Sequence, residues 1–121
     1  MPIYGIALHN QFFAWGTVNQ TVVQYADQAL GSAGAGAWGG TADEALAVAF
    51  DSTGNLYYGN ADNSVWFVNF SLGLTTFETL SFTPAGMVVD STRGRVYISN
   101  QQGNAIEVYS TTTGALLKTI Q

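Results

Sequence analysis

The sequence predicts an all-β chain: a β-propeller segment of three four-stranded antiparallel blades. Three observations carry this reading. The chain repeats itself with a period near 40 residues, the signature of a propeller blade. Each repeat holds several short strand patterns separated by turn residues. The composition joins six Tyr, seven Phe and three Trp with 14 Gly and only two Pro, which suits strands joined by tight turns.

The repeat is clearest between residues 47–60 and 86–100. Ala47-Val48-Ala49-Phe50-Asp51 matches Gly86-Met87-Val88-Val89-Asp90, and Leu56-Tyr57-Tyr58-Gly59-Asn60 matches Val96-Tyr97-Ile98-Ser99-Asn100. Asp51 and Asp90 lie 39 apart, and Asn60 and Asn100 lie 40 apart, so one turn residue is added. Further on, Asn63–Val68 matches Asn104–Tyr109. A weaker copy opens the chain, with Gly5–His9, then Phe12–Gly16, then Thr21–Tyr25. The units run from about 3 to 42, 43 to 82 and 83 to 121.

Within each unit the strands follow in order. Strand A (Gly5–Leu8, Ala47–Phe50, Gly86–Val89) is apolar with small residues, as suits a strand beside a central channel, buried on both faces. The turn Asp51-Ser52-Thr53-Gly54-Asn55 supplies a side-chain acceptor and residues that tolerate positive φ. Strand B (Leu56–Gly59, Val96–Asn100) is aromatic and β-branched. Strand C alternates, so that Ile106 and Val108 face opposite to Glu107. Strand D is expected at Thr75–Phe82 and Leu116–Ile120, but in the first unit only at Gln28–Gly31. The run Gly31–Gly40 is read as a connection from strand D to the next strand A.

Propellers typically hold four to eight blades, so three leave two apolar sheet faces uncovered. At ~25 cal/mol per Å2 of apolar area, wetting both would cost on the order of 10 kcal/mol, comparable to the stability of a whole domain. A homodimer that closes a ring of about six blades removes that cost. A piece of a longer propeller, or an open head-to-tail assembly, is the alternative.

Charge excludes some partners. Charged residues make up 9% of the chain and the net charge is −5, with Arg93, Arg95 and Lys118 the only cations. Such a chain cannot neutralise many phosphates, so neither nucleic acid nor an anionic membrane surface is an expected partner. With no Cys, disulfides, thiolate metal sites and a Cys nucleophile are excluded. No run of about 18 apolar residues is present, and the start Met1-Pro2-Ile3-Tyr4 does not read as a signal peptide. The compartment is left open.

Val96–Asn100, followed by Asn104–Tyr109 and Thr113-Gly114, resembles the unit of YVTN-type repeats. Leu30–Gly36, leading into Ala47–Asp51 and Gly54-Asn55-Leu56-Tyr57, resembles the start of an NHL repeat. The likeness covers residues 30–120 well and 3–26 poorly. It implies a six- or seven-bladed ring serving as a scaffold, a ligand binder or, in some relatives, an enzyme. RNA-binding NHL domains display a basic face, which this chain lacks. Lactonase-type relatives carry a metal-binding Asp after the Pro that opens strand A; here Pro84 is followed by Ala85.

Candidate site residues fall on the loops expected at the channel mouth. Asn60, Asp62 and Asn63, and Asn100, Gln101, Gln102 and Asn104, form the B-to-C loops. Asx-rich loops are first of all good turns. They also suit a polar ligand mouth, with Trp15, Trp38 or Trp66 available to stack on a ring. Trp66 belongs to strand C and is expected between blades, whereas Trp38 is expected to be exposed. Asp43 and Glu44 precede strand A of the second unit; adjacent residues on an extended chain point apart and make a poor acid–base pair. Facing their copies across a ring axis, they would suit Ca2+ or another hard cation; otherwise no cofactor is expected. His9 takes the turn position of Asp51 and Asp90 and reads as a surface turn residue. No phosphate loop, metal-binding His cluster or nucleophile motif is present.

The reading that follows is a non-enzymatic propeller module. It assembles with itself and binds a small polar ligand or a protein segment at the channel mouth. A metal-dependent propeller hydrolase and a purely structural fragment are the alternatives.

Overall fold

Residues 3–9, 12–17, 23–27, 31–38, 44–69 and 73–121 are described by the structure, a computed structural model. They form three four-stranded sheets, each an antiparallel meander. Sheet I runs β1 (Ile3–His9), β2 (Phe12–Thr17), β3 (Val23–Asp27) and β4 (Gly31–Trp38). Sheet II runs β5 (Ala45–Phe50), β6 (Leu56–Asn60), β7 (Ser64–Asn69) and β8 (Gly73–Thr79). Sheet III runs β9 (Met87–Asp90), β10 (Arg95–Asn100), β11 (Ala105–Ser110) and β12 (Leu116–Ile120). No helix long and apolar enough to cross a membrane is found among these residues.

Turn chemistry repeats from sheet II to sheet III. Gly54 and Gly94 hold φ of 88° and 65° in the first turn, and Gly73 and Gly114 hold 109° and 74° in the third. In the middle turn the residue with positive φ is Asn, Asn63 (72°) and then Asn104 (53°). Gly and Asn are the residues that enter this region at least cost. Asp51 anchors its turn as expected: its Oδ1 accepts the backbone N–H groups of Thr53 and Asn55, each at 2.9 Å.

The sheets stand side by side, with β5 packed against β1 and β2 on one side and β9 on the other. Period-2 alternation divides sheet II between two cores. Val48, Leu56, Tyr58 and Val68 join Ala14 of sheet I, with Ala7, Phe50 and Trp66 packed around them. Tyr57 and Val65 point the other way, to Val96, Ile98 and Tyr109 of sheet III, with Met87 and Val89 alongside. Trp66 therefore packs between sheets, as its strand position predicts.

Three expectations need correction. Residues 31–38 form the outer strand β4, paired to β3 through Val23↔Trp38, Gln24↔Ala37 and Tyr25↔Gly36; they are not a connection. Gly and Ala have low strand propensity and carry no alternating pattern, so backbone pairing is the determinant here. Strand D of the second unit ends at Thr79 rather than Phe82. Leu80 and Phe82 leave the sheet and bury their side chains (5% exposed each) in the core between sheets II and III. Finally, strand A is buried on both faces only in the middle sheet. Ile6 and Leu8 of β1 are 68% and 64% exposed and Val88 of β9 is 63% exposed, because no sheet among the described residues lies beyond them.

Candidate functional site

An antiparallel meander places its second loop and its connection to the next sheet at one end. Glu44, the Asn60–Ser64 turn and Leu80 meet there in sheet II: Ala61 donates its N–H to the Glu44 carbonyl at 2.8 Å, and Leu80 to the Asn63 carbonyl at 2.8 Å. Asn100–Ala105 occupies the same end of sheet III, since Asn100 pairs with Ala105. Trp38 closes β4 at this end of sheet I, on the outermost strand and so away from the inner strands. Asp43 lies outside the described residues.

Most of the Asx side chains here build the turns. Asn60 is fully buried, and its Nδ2 donates to the Ser64 carbonyl and hydroxyl at 3.3 and 3.1 Å. Asp62 Oδ1 accepts the Ser64 N–H at 3.0 Å and also the Ser64 hydroxyl. The Ser64 hydroxyl in turn accepts the Trp66 indole N–H at 3.2 Å, so this turn orients a core aromatic. Asn63 Oδ1 accepts the Thr83 hydroxyl at 2.9 Å, tying the turn to the connection toward sheet III. Asn100 Oδ1 accepts the Gly103 N–H at 2.9 Å.

Gln101 and Gln102 differ, for both are exposed. With Thr83, Pro84 and Ala85 and with Leu46 of β5 they line a recess of about 400 Å3. Gln101 also borders a second recess of about 340 Å3, formed with Ser99, Asn100, Ala105, Ile106 and Ile120. Amide side chains over an apolar floor can donate and accept hydrogen bonds but cannot move protons at neutral pH. This geometry suits binding. Thr83–Ala85 escaped the sequence reading as a lining segment; the signal was Pro84, whose ring fixes the chain before β9.

A third recess, of about 300 Å3, has Tyr57, Phe67 and Phe77 as its aromatic lining. Thr75 and Thr76 of β8 and Thr111–Gly114 of the β11–β12 turn complete it. The Tyr57 ring lies 4.7 Å from Phe67 and 5.1 Å, edge-on, from Phe77. Burial, with a smaller push from the Asp51 carboxylate, raises the Tyr57 phenol to about 12.

Three titratable groups elsewhere have partners or packing within the fold. Asp90 accepts the Arg93 guanidinium at 2.8 Å, which holds its carboxyl below the usual carboxylate range. Glu107 lies on the buried face of sheet III, opposite Ile98, and accepts the Thr119 hydroxyl. His9 is half-buried rather than a free surface turn residue, with its ring 5.9 Å from Phe50. Among the described residues, no group of three or more His, Cys, Asp or Glu converges as a metal site would.

No family model matches the chain, and no curated protein does. Among solved structures, hydrazine synthase from Kuenenia stuttgartiensis, a β-propeller-containing protein, is similar, with a TM-score of 0.81 at 17% identity. The match covers 97% of this chain and 35% of that one, so this chain spans about a third of its neighbour's length. At that identity the likeness speaks to the fold alone: the chain is an all-β protein with a propeller-like fold.

Proposed function

We propose that this chain is a non-enzymatic propeller module that closes a ring of about six blades with a second copy of itself. In this reading its sheets are blades of the NHL/YVTN kind, and the recess at Gln101 and Gln102 seats a small polar ligand or a protein segment.

The observation that carries the reading is the pair of apolar rows left open at the two ends of the stack. Ile6 and Leu8 on one end and Val88 on the other are each more than 60% exposed. In this reading they are interaction surface rather than scattered surface hydrophobics. The binding role is supported by the commitment of Asn60, Asp62, Asn63 and Asn100 to turns, which leaves amides rather than carboxylates at the recess.

Two measurements test this. Sedimentation velocity across a concentration series should show a two-chain species; a single-chain species throughout refutes ring closure. A panel of glycans, short peptides and Ca2+, read by chemical-shift changes at Gln101 and Gln102, tests the mouth. Perturbation confined to those amides supports a ligand seat, and hydrolysis of a panel member would replace binding by catalysis.

A further inference from the structure

The exposed rows are not interchangeable, and the internal junctions say which row fits which. Count back from the residue that marks the end of strand A, namely His9 of β1, Asp51 just after β5 and Asp90 of β9. Three and one residues earlier stand Ile6 and Leu8, Val48 and Phe50, and Met87 and Val89. In sheets II and III these residues pack on the preceding sheet. Two residues earlier stand Ala7, Ala49 and Val88. Ala7 packs toward the following sheet, and Ala49 pairs with Tyr57, which does the same. Ile6 and Leu8 are therefore a row that fits a preceding sheet, and Val88 belongs to a row that fits a following one.

A second relation gives the same direction. Six residues before the strand-A end stand Ile3, Ala45 and Pro84. Each junction seats such a residue on a glycine of the previous sheet's second strand. A β-carbon at Gly16 would come 2.0 Å from the Ala45 carbonyl oxygen, and one at Gly59 would come 2.7 Å from Pro84 Cγ. The corresponding position in sheet III is Ser99, which lines the recess of about 340 Å3 with Ile106 and Ile120. Sheets I and II share the irregularity that shapes this seat, a register shift between Ile3 and Gly5 and between Ala45 and Ala47.

Resting on the proposal that the chain assembles with itself, we infer that the contact is head-to-tail. The Ile6–Leu8 row of one copy covers the Val88 row of its partner, with the partner copy's first strand seated over Ser99. Two such contacts, related by a two-fold axis, close the ring. The occupant of the Ser99 recess is thus the segment that enters strand A of a second copy, the same kind of segment that Gly16 and Gly59 already receive through Ala45 and Pro84.

Complementary surface variants test the direction. Ile6→Glu/Leu8→Glu disables one row and Val88→Glu the other; Ser99→Trp fills the seat without touching either row. All four side chains lie at exposed or half-buried positions, and circular dichroism would verify that each variant is folded. Each variant alone should be a single chain, with self-association weakened by at least about 100-fold, as expected for a charge placed in an apolar contact. Mixing the Ile6→Glu/Leu8→Glu and Val88→Glu variants should restore a pair holding one of each, resolved by mass, because each retains the row that the other needs. If the wild type associates but either variant still pairs with itself, the contact joins like faces and the head-to-tail inference fails, while self-assembly stands. If the wild type never associates, both fail. Growth to long assemblies that either variant abolishes keeps the head-to-tail contact and overturns the closed ring.

Discussion

Asn63 and Asn104 hold the same place in consecutive sheets, both with positive φ, yet only Asn63 also accepts the Thr83 hydroxyl, at 2.9 Å. The two positions therefore separate backbone strain from side-chain bonding. Asn104→Gly should be near neutral, whereas Asn63→Gly should cost about 1 kcal/mol for the lost bond. A β-branched residue such as Val should cost about 1–3 kcal/mol at either position. Urea unfolding of the four variants checks this, and equal effects of Gly at both positions would remove the role given to Thr83.

The glycines of the sheet junctions make a second contrast. Gly16→Ala forces a β-carbon to 2.0 Å from the Ala45 carbonyl oxygen, so the sheets must separate. A loss of about 3 kcal/mol or more is expected, at the upper end for overpacking. Gly73→Ala meets nothing within 4 Å and bears only the cost of its φ of 109°, about 1 kcal/mol. Thermal melts rank the two; a Gly16→Ala protein as stable as Gly73→Ala would contradict the close approach of β2 and β5.

The Tyr58 hydroxyl is buried with no hydrogen-bond partner among the described residues. Removing it relieves an unsatisfied group and leaves the ring in the core. Tyr58→Phe should therefore be neutral to about 1 kcal/mol stabilising. A destabilised variant would mean that the hydroxyl has a partner such as a buried water.

Tyr57 predicts an alkaline transition. Its phenol rises from 10.0 to about 12 on folding, so the folded chain holds the proton more tightly than the unfolded one. That contribution is complete below pH 10 and is lost as the pH climbs toward 12. Burial also raises Tyr58 and Tyr109, which add to the same trend. The Tyr57→Phe protein should lose less stability between pH 10 and 12 than the wild type; identical pH curves would contradict the burial of the phenol.

Much of the architecture is legible in the sequence because strands B and C carry strong side-chain patterns. The correspondence between Leu56–Asn60 and Val96–Asn100 reappears in space as β6 and β10. Strand β4 was illegible because Gly and Ala report no pattern when backbone pairing alone defines the strand. Leu80 and Phe82 look like strand residues, and only the tertiary structure shows them turning into the core. Likewise Glu107, the polar residue of an alternating strand, lies buried and accepts the hydroxyl of Thr119 from the exposed strand β12. At these loops, residue types located the turns but not their division of labour. Asn60 and Asp62 are held by Ser64, whereas Gln101 and Gln102 stay exposed; such hydrogen bonds depend on turn geometry that composition does not encode.

Sedimentation equilibrium of the unmodified protein tests the central claim, closure of the stack by a second copy, most directly. A mass of twice the 12.8 kDa chain, approached at rising concentration and then constant, is the expected result. A constant mass of one chain, with Ile6, Leu8 and Val88 left in water, would contradict it.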